Sequence, residues 1–127
     1  MTVEDFTNKL YHYRAFVPKD KSKIYDGDTL KIDFKLGFNV EVKNEKCRMC
    51  RIDTPEINKK DQKESAIKSR DRLRELILGK NFFVQTIKDK RGKFGRVLVE
   101  IWLEKDGKMI NINDLMVTEG LAIYKDY

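Results

Sequence analysis

The sequence predicts an α+β protein in which strands predominate, built as a small, mostly antiparallel sheet or barrel with helices packed against it. Three consecutive segments with strand patterns, over residues 30–36, 40–42 and 46–52, directly precede the one long helical pattern, which argues against alternating βαβ units. Further strand patterns and a short helical pattern follow that helix. There is no internal repeat and no low-complexity linker, so we expect one domain over residues 1–127.

The first predicted elements are an N-terminal helix and two strands. Val3 and Phe6 begin a helical spacing of apolar residues, which predicts a helical extension over residues 1–12. Residues 13–17 have a strand pattern that a proline ends. Over residues 30–36, apolar side chains alternate with charged ones, which predicts a strand buried on one face.

Two more strands and a long helix follow. Residues 40–42 and 46–52 carry strand patterns, and residues 61–78 carry a helical pattern in which charges surround one apolar stripe. That stripe consists of Ala66, Leu73 and Ile77. Gly79 lies where a helix ends in a left-handed residue, so we expect the helix to stop just before it.

The last third of the chain predicts a hairpin and a short helix. Residues 82–87 and 97–103 have the composition of strands, and the Asp-Gly pair at residues 106–107 is a strong hairpin signal. Asn111 or Asn113 can begin a short helix, because asparagine is a favoured N-cap. Neither position is preferred by the pattern alone.

Charge narrows the class of partner. The chain has 27 Lys and Arg against 21 Asp and Glu, a net charge of +6, which favours nucleic acid or another polyanion. It has no apolar run long enough to span a membrane and no signal-peptide pattern at its start, so we expect a cytoplasmic protein without membrane contact. We also expect a monomer. A leader removed before this sequence begins would instead make the protein secreted.

Four acidic residues are candidates for a metal site. Asp26 and Asp28 flank a glycine at the start of the strand over residues 30–36, and Asp53 and Glu56 follow the strand over residues 46–52. If these two strands pair, carboxylates from both converge, and oxygen ligands suit a hard cation such as Ca²⁺ or Mg²⁺. The alternative is that they are ordinary turn aspartates at a solvated surface.

Two arginines are candidates for binding phosphate. Arg48 lies among apolar residues of a predicted strand, on the face shared with Cys50 and Ile52, where a charge is costly to bury without a partner. Arg96 directly precedes another apolar strand. A guanidinium group matches phosphate oxygens and can stabilise the charge of a transition state. The alternative for each arginine is a structural salt bridge.

A basic stretch over residues 88–96 adds candidate contacts to substrate. It contains Lys93, which can contact a phosphate, and Phe94, which can stack on a base. The alternative is a solvated, charged loop. Cys47 and Cys50 have the spacing of zinc ligands, but the chain has a single histidine, so we expect both to be thiols and not zinc ligands.

Motifs in this order resemble those of the staphylococcal nuclease family. The first is DGDT at residues 26–29, the second is RMCRIDTPE at residues 48–56, and the third is KFGR at residues 93–96. Residues 113–122 resemble the family's closing helix, with its buried asparagine. The resemblance implies a five-stranded OB-fold barrel with a long helix after the third strand and short flanking helices.

The resemblance also implies an activity and its residues. It implies a Ca²⁺-dependent phosphodiesterase that cleaves DNA and RNA, preferably single-stranded, and leaves 3′-phosphates. At the matching positions, Ca²⁺ would be held by the carboxylates of Asp28 and Asp53 and the backbone carbonyl of Thr54. Asp26 would lie near the metal without being a certain ligand. The implied catalytic residues are Arg48, Glu56 and Arg96, and the implied substrate contacts are Lys93 and Phe94.

One competing function class remains open. Many OB-fold domains bind single-stranded nucleic acid without cutting it. Three departures from the family bear on affinity, substrate preference and stability: Phe94 replaces a tyrosine, the chain ends at Tyr127 without the C-terminal helix of the family's archetype, and the hairpin between Arg96 and Asn113 is longer by a few residues. None of them removes a catalytic group.

Overall fold

A computed structural model describes residues 10–91 and 95–125 of the chain, with side chains placed at residues 11–87 and 95–125. Within these residues there are nine strands and two α-helices. The strands are β1 (Leu10–Phe16), β2 (Ile24–Asp26), β3 (Thr29–Gly37), β4 (Val40–Met49), β5 (Ile52–Asp53), β6 (Asn81–Arg91), β7 (Val97–Lys105), β8 (Lys108–Asn111) and β9 (Ile123–Tyr124). The helices are α1 (Lys63–Ile77) and α2 (Ile112–Thr118).

Five of these strands close into a barrel. They pair in the order β1–β6–β7–β4–β3, and β3 returns to β1, where Arg14 lies opposite Lys35. All pairs are antiparallel except β4 with β7. The fold is therefore a mainly β, α+β protein with a five-stranded barrel, as predicted. Among the described residues, no helix has the length and apolar character to cross a membrane.

The core is formed by the apolar residues that alternate along a strand and by those that form a stripe along a helix. Along β3, Leu30, Ile32 and Phe34 are buried inside the barrel, as the alternating pattern predicts, but Leu36 near the end of the strand is exposed, so the pattern fails there. The predicted stripe of α1 is buried as well, and α1 packs against β2. This helix begins two residues later than predicted, after a 3₁₀ turn at Lys60–Gln62, and Gly79 follows its end with φ +71°.

The chain between residues 40 and 52 differs from the prediction of two strands. One strand, β4, runs through it, with a bulge at Asn44, whose φ is +58° and whose N–H donates to Asp33 Oδ1 at 2.9 Å. Asparagine tolerates this left-handed conformation, so the strand bends without ending. β4 then stops at Met49, because Arg51 has φ +66°, and the predicted shared face of Arg48, Cys50 and Ile52 is wrong.

The N-terminal prediction also needs correction. Residues 10–12 belong to β1 and pair with β6, so the predicted helix over residues 1–12 is wrong at its C-terminal end. The helical spacing at these positions coincides with a strand whose ladder to β6 is continuous from Leu10 to Phe16. Residues 1–9 lie outside the described part of the chain.

The last third of the chain folds as the turn signals predict. Asp106 and Gly107 both have positive φ, of +53° and +77°, as the two central residues of a type I′ turn require. Asn111 is the N-cap of α2, because its side chain accepts the N–H of Asp114 at 2.8 Å. Asn113 is fully buried in the first turn instead.

Asn113 joins three backbone segments. Its Nδ2 donates to Cys50 O at 2.9 Å and Val99 O at 3.0 Å, and its Oδ1 accepts Ile101 N–H at 3.0 Å. The side chain therefore ties α2 to β7 and to the turn that follows β4. That turn leads directly into β5 and Asp53, so Asn113 supports the position of a candidate site residue.

Replacing Asn113 with alanine is expected to lower the free energy of unfolding by about 2–3 kcal/mol, because buried backbone groups lose their partners. Urea unfolding measures this loss. Asn111→Ala is the comparison, since it removes an N-cap and a hydrogen bond from Asn111 Nδ2 to Glu100, with an expected loss of about 1 kcal/mol. Equal losses in the two variants would show that the buried contacts of Asn113 contribute no more than these two contacts of Asn111.

Candidate active site

The candidate site lies where β3 begins and β4 ends. Thr29 pairs with Arg48 across these strands, and Asp28 directly precedes Thr29. The turn before Asp28 packs tightly against α1: a Cβ added at Gly27 would lie 2.7 Å from the Cβ of Ser69 and 3.1 Å from Cγ2 of Thr54. Glycine is therefore required there for close approach, and it positions the aspartates on either side of it.

Asp28 is a buried carboxylate with three donors. Its Oδ1 accepts from Thr29 Oγ1 at 3.0 Å, and its Oδ2 accepts from Thr54 N–H at 2.8 Å and lies 2.9 Å from Arg48 Nη1. These contacts hold the segment after β5 against the start of β3. A carboxylate has about four acceptor positions, so Asp28 is both a structural anchor and a group with capacity for one more contact.

Arg48 links the two aspartates that were predicted to converge. Its Nη2 lies 3.2 Å from Asp53 Oδ1, while its Nη1 contacts Asp28 and donates to Met49 O at 3.1 Å and Ile52 O at 3.2 Å. The arginine is only 7% exposed. The structure thus brings Asp28, Arg48 and Asp53 together, with the guanidinium group between the two carboxylates.

Asp26 and Glu56 form the outer edge of this cluster. Asp26 Oδ1 accepts Ile57 N–H at 3.2 Å, and partial burial raises the pKa of Asp26, helped by the negative charges of Asp28 and Glu56. The Glu56 side chain is more than half exposed, with Lys59 Nζ 4.0 Å from its carboxylate. Glu56 therefore lies where the cluster meets solvent.

The remaining predicted residues lie on the neighbouring strand or outside the described chain. Arg96 directly precedes β7, which runs parallel to β4 with Val97 opposite Cys47, so Arg96 lies one strand away from Arg48. Its side chain is partly buried. Lys93 and Phe94, the predicted substrate contacts, lie outside the described residues.

The oxygen atoms at the candidate site are of the types that bind a hard cation. Asp28 and Asp53 offer carboxylate oxygens and Thr54 offers a backbone carbonyl, which are the ligands that Ca²⁺ prefers. The described residues contain no group of three or more His, Cys, Asp or Glu gathered to hold a metal ion. Three protein ligands are fewer than the six to eight that Ca²⁺ takes, so water and substrate oxygens would have to complete the shell.

One residue near the site was missed by the sequence reasoning. Lys125 Nζ lies 3.8 Å from Asp53 Oδ2, because β9 pairs antiparallel with β5 and Lys125 N–H donates to Arg51 O at 2.8 Å. Only this long-range pairing brings residue 125 to residue 53. Nothing in the local sequence indicates it, beyond the apolar and aromatic residues of a short strand.

An ion-pair network holds that pairing in place. Arg51 makes two contacts to Glu100, at 2.7 and 2.8 Å, and a third to Asp114 Oδ1 at 3.0 Å. Tyr124 donates its hydroxyl to the same carboxylate oxygen of Asp114 at 3.0 Å. The turn before β5, the start of α2 and β9 are therefore joined through one arginine.

Cys50 lies beside this network. Neither it nor Cys47 forms a disulfide, and both are buried. Burial, together with the carboxylate of Glu100, raises the pKa of Cys50 to about 12. The thiol therefore stays protonated at neutral pH.

Cys50 is expected to resist alkylation in the folded protein. At about pH 8, a thiol of this pKa has roughly 10³-fold less thiolate than an exposed cysteine, and thiolate is the reactive form. Iodoacetamide labelling followed by peptide mass spectrometry measures the rates in native buffer and in urea. Equal rates at Cys50 in both conditions would contradict its burial beside Glu100.

A comparison with known protein families gives a match. The sequence model of the family described as staphylococcal nuclease homologue matches residues 46–127. The matched part includes Arg48, Asp53, Glu56 and Arg96, whereas Asp28 precedes it and is joined to it in space through Arg48. A search of curated proteins gives no match. The match covers well over half of the chain, and the chain therefore belongs to the family of staphylococcal nuclease homologues.

Proposed function

We propose that this protein is a calcium-dependent nuclease that hydrolyses phosphodiester bonds of DNA or RNA and leaves 3′-phosphates. The observation that carries the proposal is the meeting of Asp28, Arg48 and Asp53 at one point, with contacts of 2.9 and 3.2 Å. Family membership supports a nuclease in general. Two carboxylates and a guanidinium group next to a further arginine match the needs of phosphodiester hydrolysis.

Each side chain has a role in the proposed reaction. Arg48 and Arg96 hold the non-bridging phosphate oxygens while negative charge builds on them. Glu56, at the solvent boundary, accepts a proton from the attacking water. Asp28, Asp53 and the carbonyl of Thr54 would hold Ca²⁺. When bound, the ion supplies positive charge opposite the scissile phosphate and favours ionisation of water.

The proposed substrate is single-stranded nucleic acid. The net charge of +6 favours a polyanion, and Lys125 places a further positive charge beside Asp53. Strands that are not paired can present each phosphate to the small barrel mouth without the other strand in the way. Lys93 and Phe94 stay proposed contacts to phosphate and base.

A non-catalytic module that binds single-stranded nucleic acid is the second candidate. The observation that favours it is that Arg48 already contacts both candidate metal ligands. The guanidinium group supplies the positive charge that a metal ion would supply, so the charges of the two carboxylates can be balanced without a metal ion. In that case the barrel binds nucleic acid through its basic surface alone.

The two candidates give opposite results in one assay. A labelled single-stranded oligonucleotide is incubated with the protein in Ca²⁺ or in EGTA, while anisotropy reports binding and gel electrophoresis reports cutting. The nuclease predicts cleavage in Ca²⁺, no cleavage in EGTA and products that need a phosphatase before ligation at their 3′ ends. Binding in both buffers without cleavage in either would support the module and contradict the nuclease.

A further inference from the structure

A cleft of about 540 Å³ opens directly beside the candidate site. Asp53, Thr54 and Pro55 form the side that it shares with that site. One wall is a face of α1, and the other is the segment that connects α2 to β9. The volume lies within the range of about 300–1,000 Å³ that is usual for small-ligand sites.

The helical wall presents polar groups. Ser65, Lys68 and Ser69 lie three and four residues apart on one face of α1, with Gln62 just before it. Ser69 Oγ donates to Leu121 O at 2.6 Å, which fixes the two walls to each other. Within the described part of the chain, the side chains of Ser65 and Lys68 make no hydrogen bond or ion pair, so their donors face the cleft opening unengaged.

The opposite wall is mainly apolar. It is formed by Leu121, Ala122 and Ile123, and the side chain of Ile123 is 65% exposed. An apolar wall facing polar donors is the arrangement that accepts a flat ring with hydrogen-bonding edges. The ring of a nucleobase has this character on its faces and its edges.

Both acidic residues of the cleft lining contact basic side chains. Glu119, the acidic residue at its far end, is paired with Arg72 through contacts of 2.7 and 2.9 Å. Asp53, at the near end, contacts Arg48 and Lys125. Among the described residues, Lys68 is thus the charged side chain of the lining that makes no ion pair, which favours an anionic group at its ammonium group beside the ring.

We propose that this cleft binds the nucleotide unit next to the scissile phosphate, with its base against residues 121–123 and its further phosphate at Lys68. The inference rests on the proposed function for its substrate class. It gives the protein a second subsite on the α1 side of the candidate site. Cleavage therefore requires a strand that extends past the reacting phosphate in this direction.

Binding of a short labelled oligothymidylate in EGTA tests the cleft, because no turnover is expected there. Lys68→Gln is expected to weaken binding about five- to tenfold and to reduce the salt dependence of log K by about 0.7, the value for one phosphate contact of a single strand. Ser65→Trp fills the cleft without changing its charge and is expected to weaken binding by about tenfold or more. Lys63→Gln is the matched control, since Lys63 is in α1 but does not line the cleft.

The outcomes separate this inference from the nuclease proposal. Weakening by Lys68→Gln and Ser65→Trp, with little change in Lys63→Gln, supports the cleft even if the protein never cuts DNA. Equal effects of the two lysine changes together with normal binding by Ser65→Trp would overturn it, even if Ca²⁺-dependent cleavage is found. Amide shifts in NMR spectra of the wild type with the same ligand must include residues 65, 68 and 121–123; shifts confined elsewhere also overturn it.

Discussion

Replacing Arg48 with methionine is expected to lower the free energy of unfolding by about 3–5 kcal/mol and to abolish measurable cleavage. Methionine keeps much of the volume but leaves the buried carboxylate of Asp28 without its cation, and an uncompensated buried charge is far more costly than a lost surface pair. The backbone carbonyls of Met49 and Ile52 lose a donor at the same time. Urea unfolding in EGTA measures the loss of stability.

The same change at a surface arginine provides the control. Arg70 pairs with the exposed carboxylate of Asp71, so Arg70→Met is expected to cost about 1 kcal/mol or less. The double variant Arg48→Met with Asp28→Asn should recover part of the stability, because the buried charge is then removed as well. A loss for Arg48→Met no larger than that for Arg70→Met would contradict the burial and pairing of Arg48.

Replacing Arg96 with alanine is expected to reduce the single-turnover cleavage rate by about 10²-fold or more. The reason is that Arg96 is proposed to stabilise charge that develops only in the transition state, so its loss affects kcat more than KM. Lys replacement should restore little, since a compact ammonium group cannot reproduce two parallel hydrogen bonds to phosphate oxygens.

Arg14→Ala is the matched control for Arg96. Arg14 is exposed on β1 and lies opposite Lys35, at the end of β3 remote from Thr29, so cleavage should stay near the wild-type rate. If Arg96→Ala raises KM without lowering the rate of the bound complex, Arg96 only binds substrate. Near-normal cleavage by this variant would remove Arg96 from the proposed mechanism.

Local periodicity predicted most of the elements because it records which face of each is buried. The alternation of Leu30, Ile32 and Phe34 and the stripe of α1 both correspond to side chains in the core. The turn at residues 106–107 needs positive φ at both positions, and the Asp-Gly pair is itself the sequence signal for such a turn. The order of strands around the long helix then favoured a small barrel.

Where the prediction failed, a local conformation or a distant contact decided the structure. The left-handed conformations of Asn44 and Arg51 change where β4 bends and ends, and neither residue is a glycine that would signal them. The β5–β9 pairing joins residues about 70 positions apart, so Lys125 beside Asp53 and the wall of the cleft could not be derived from periodicity.

The sequence predicted which side chains meet at the candidate site better than it predicted the contacts between them. The motifs placed Asp28 and Asp53 near each other, and the structure does bring them to a common partner. The sequence did not indicate that Arg48 lies between them, nor that Thr54 N–H donates to Asp28 at 2.8 Å. These contacts depend on the distance between strand ends, which the sequence pattern leaves open.

The most direct test of the account is the single-turnover cleavage rate of Asp53→Asn in saturating Ca²⁺. Asp53 is about one-third exposed, and asparagine keeps an oxygen that can accept from Arg48, so the variant should fold with a melting temperature close to that of the wild type. The rate is expected to be lower by about 10²-fold or more, because a metal ligand and its charge are lost. A folded Asp53→Asn variant that cleaves within about twofold of the wild-type rate would contradict the assignment of this cluster as the hydrolytic site.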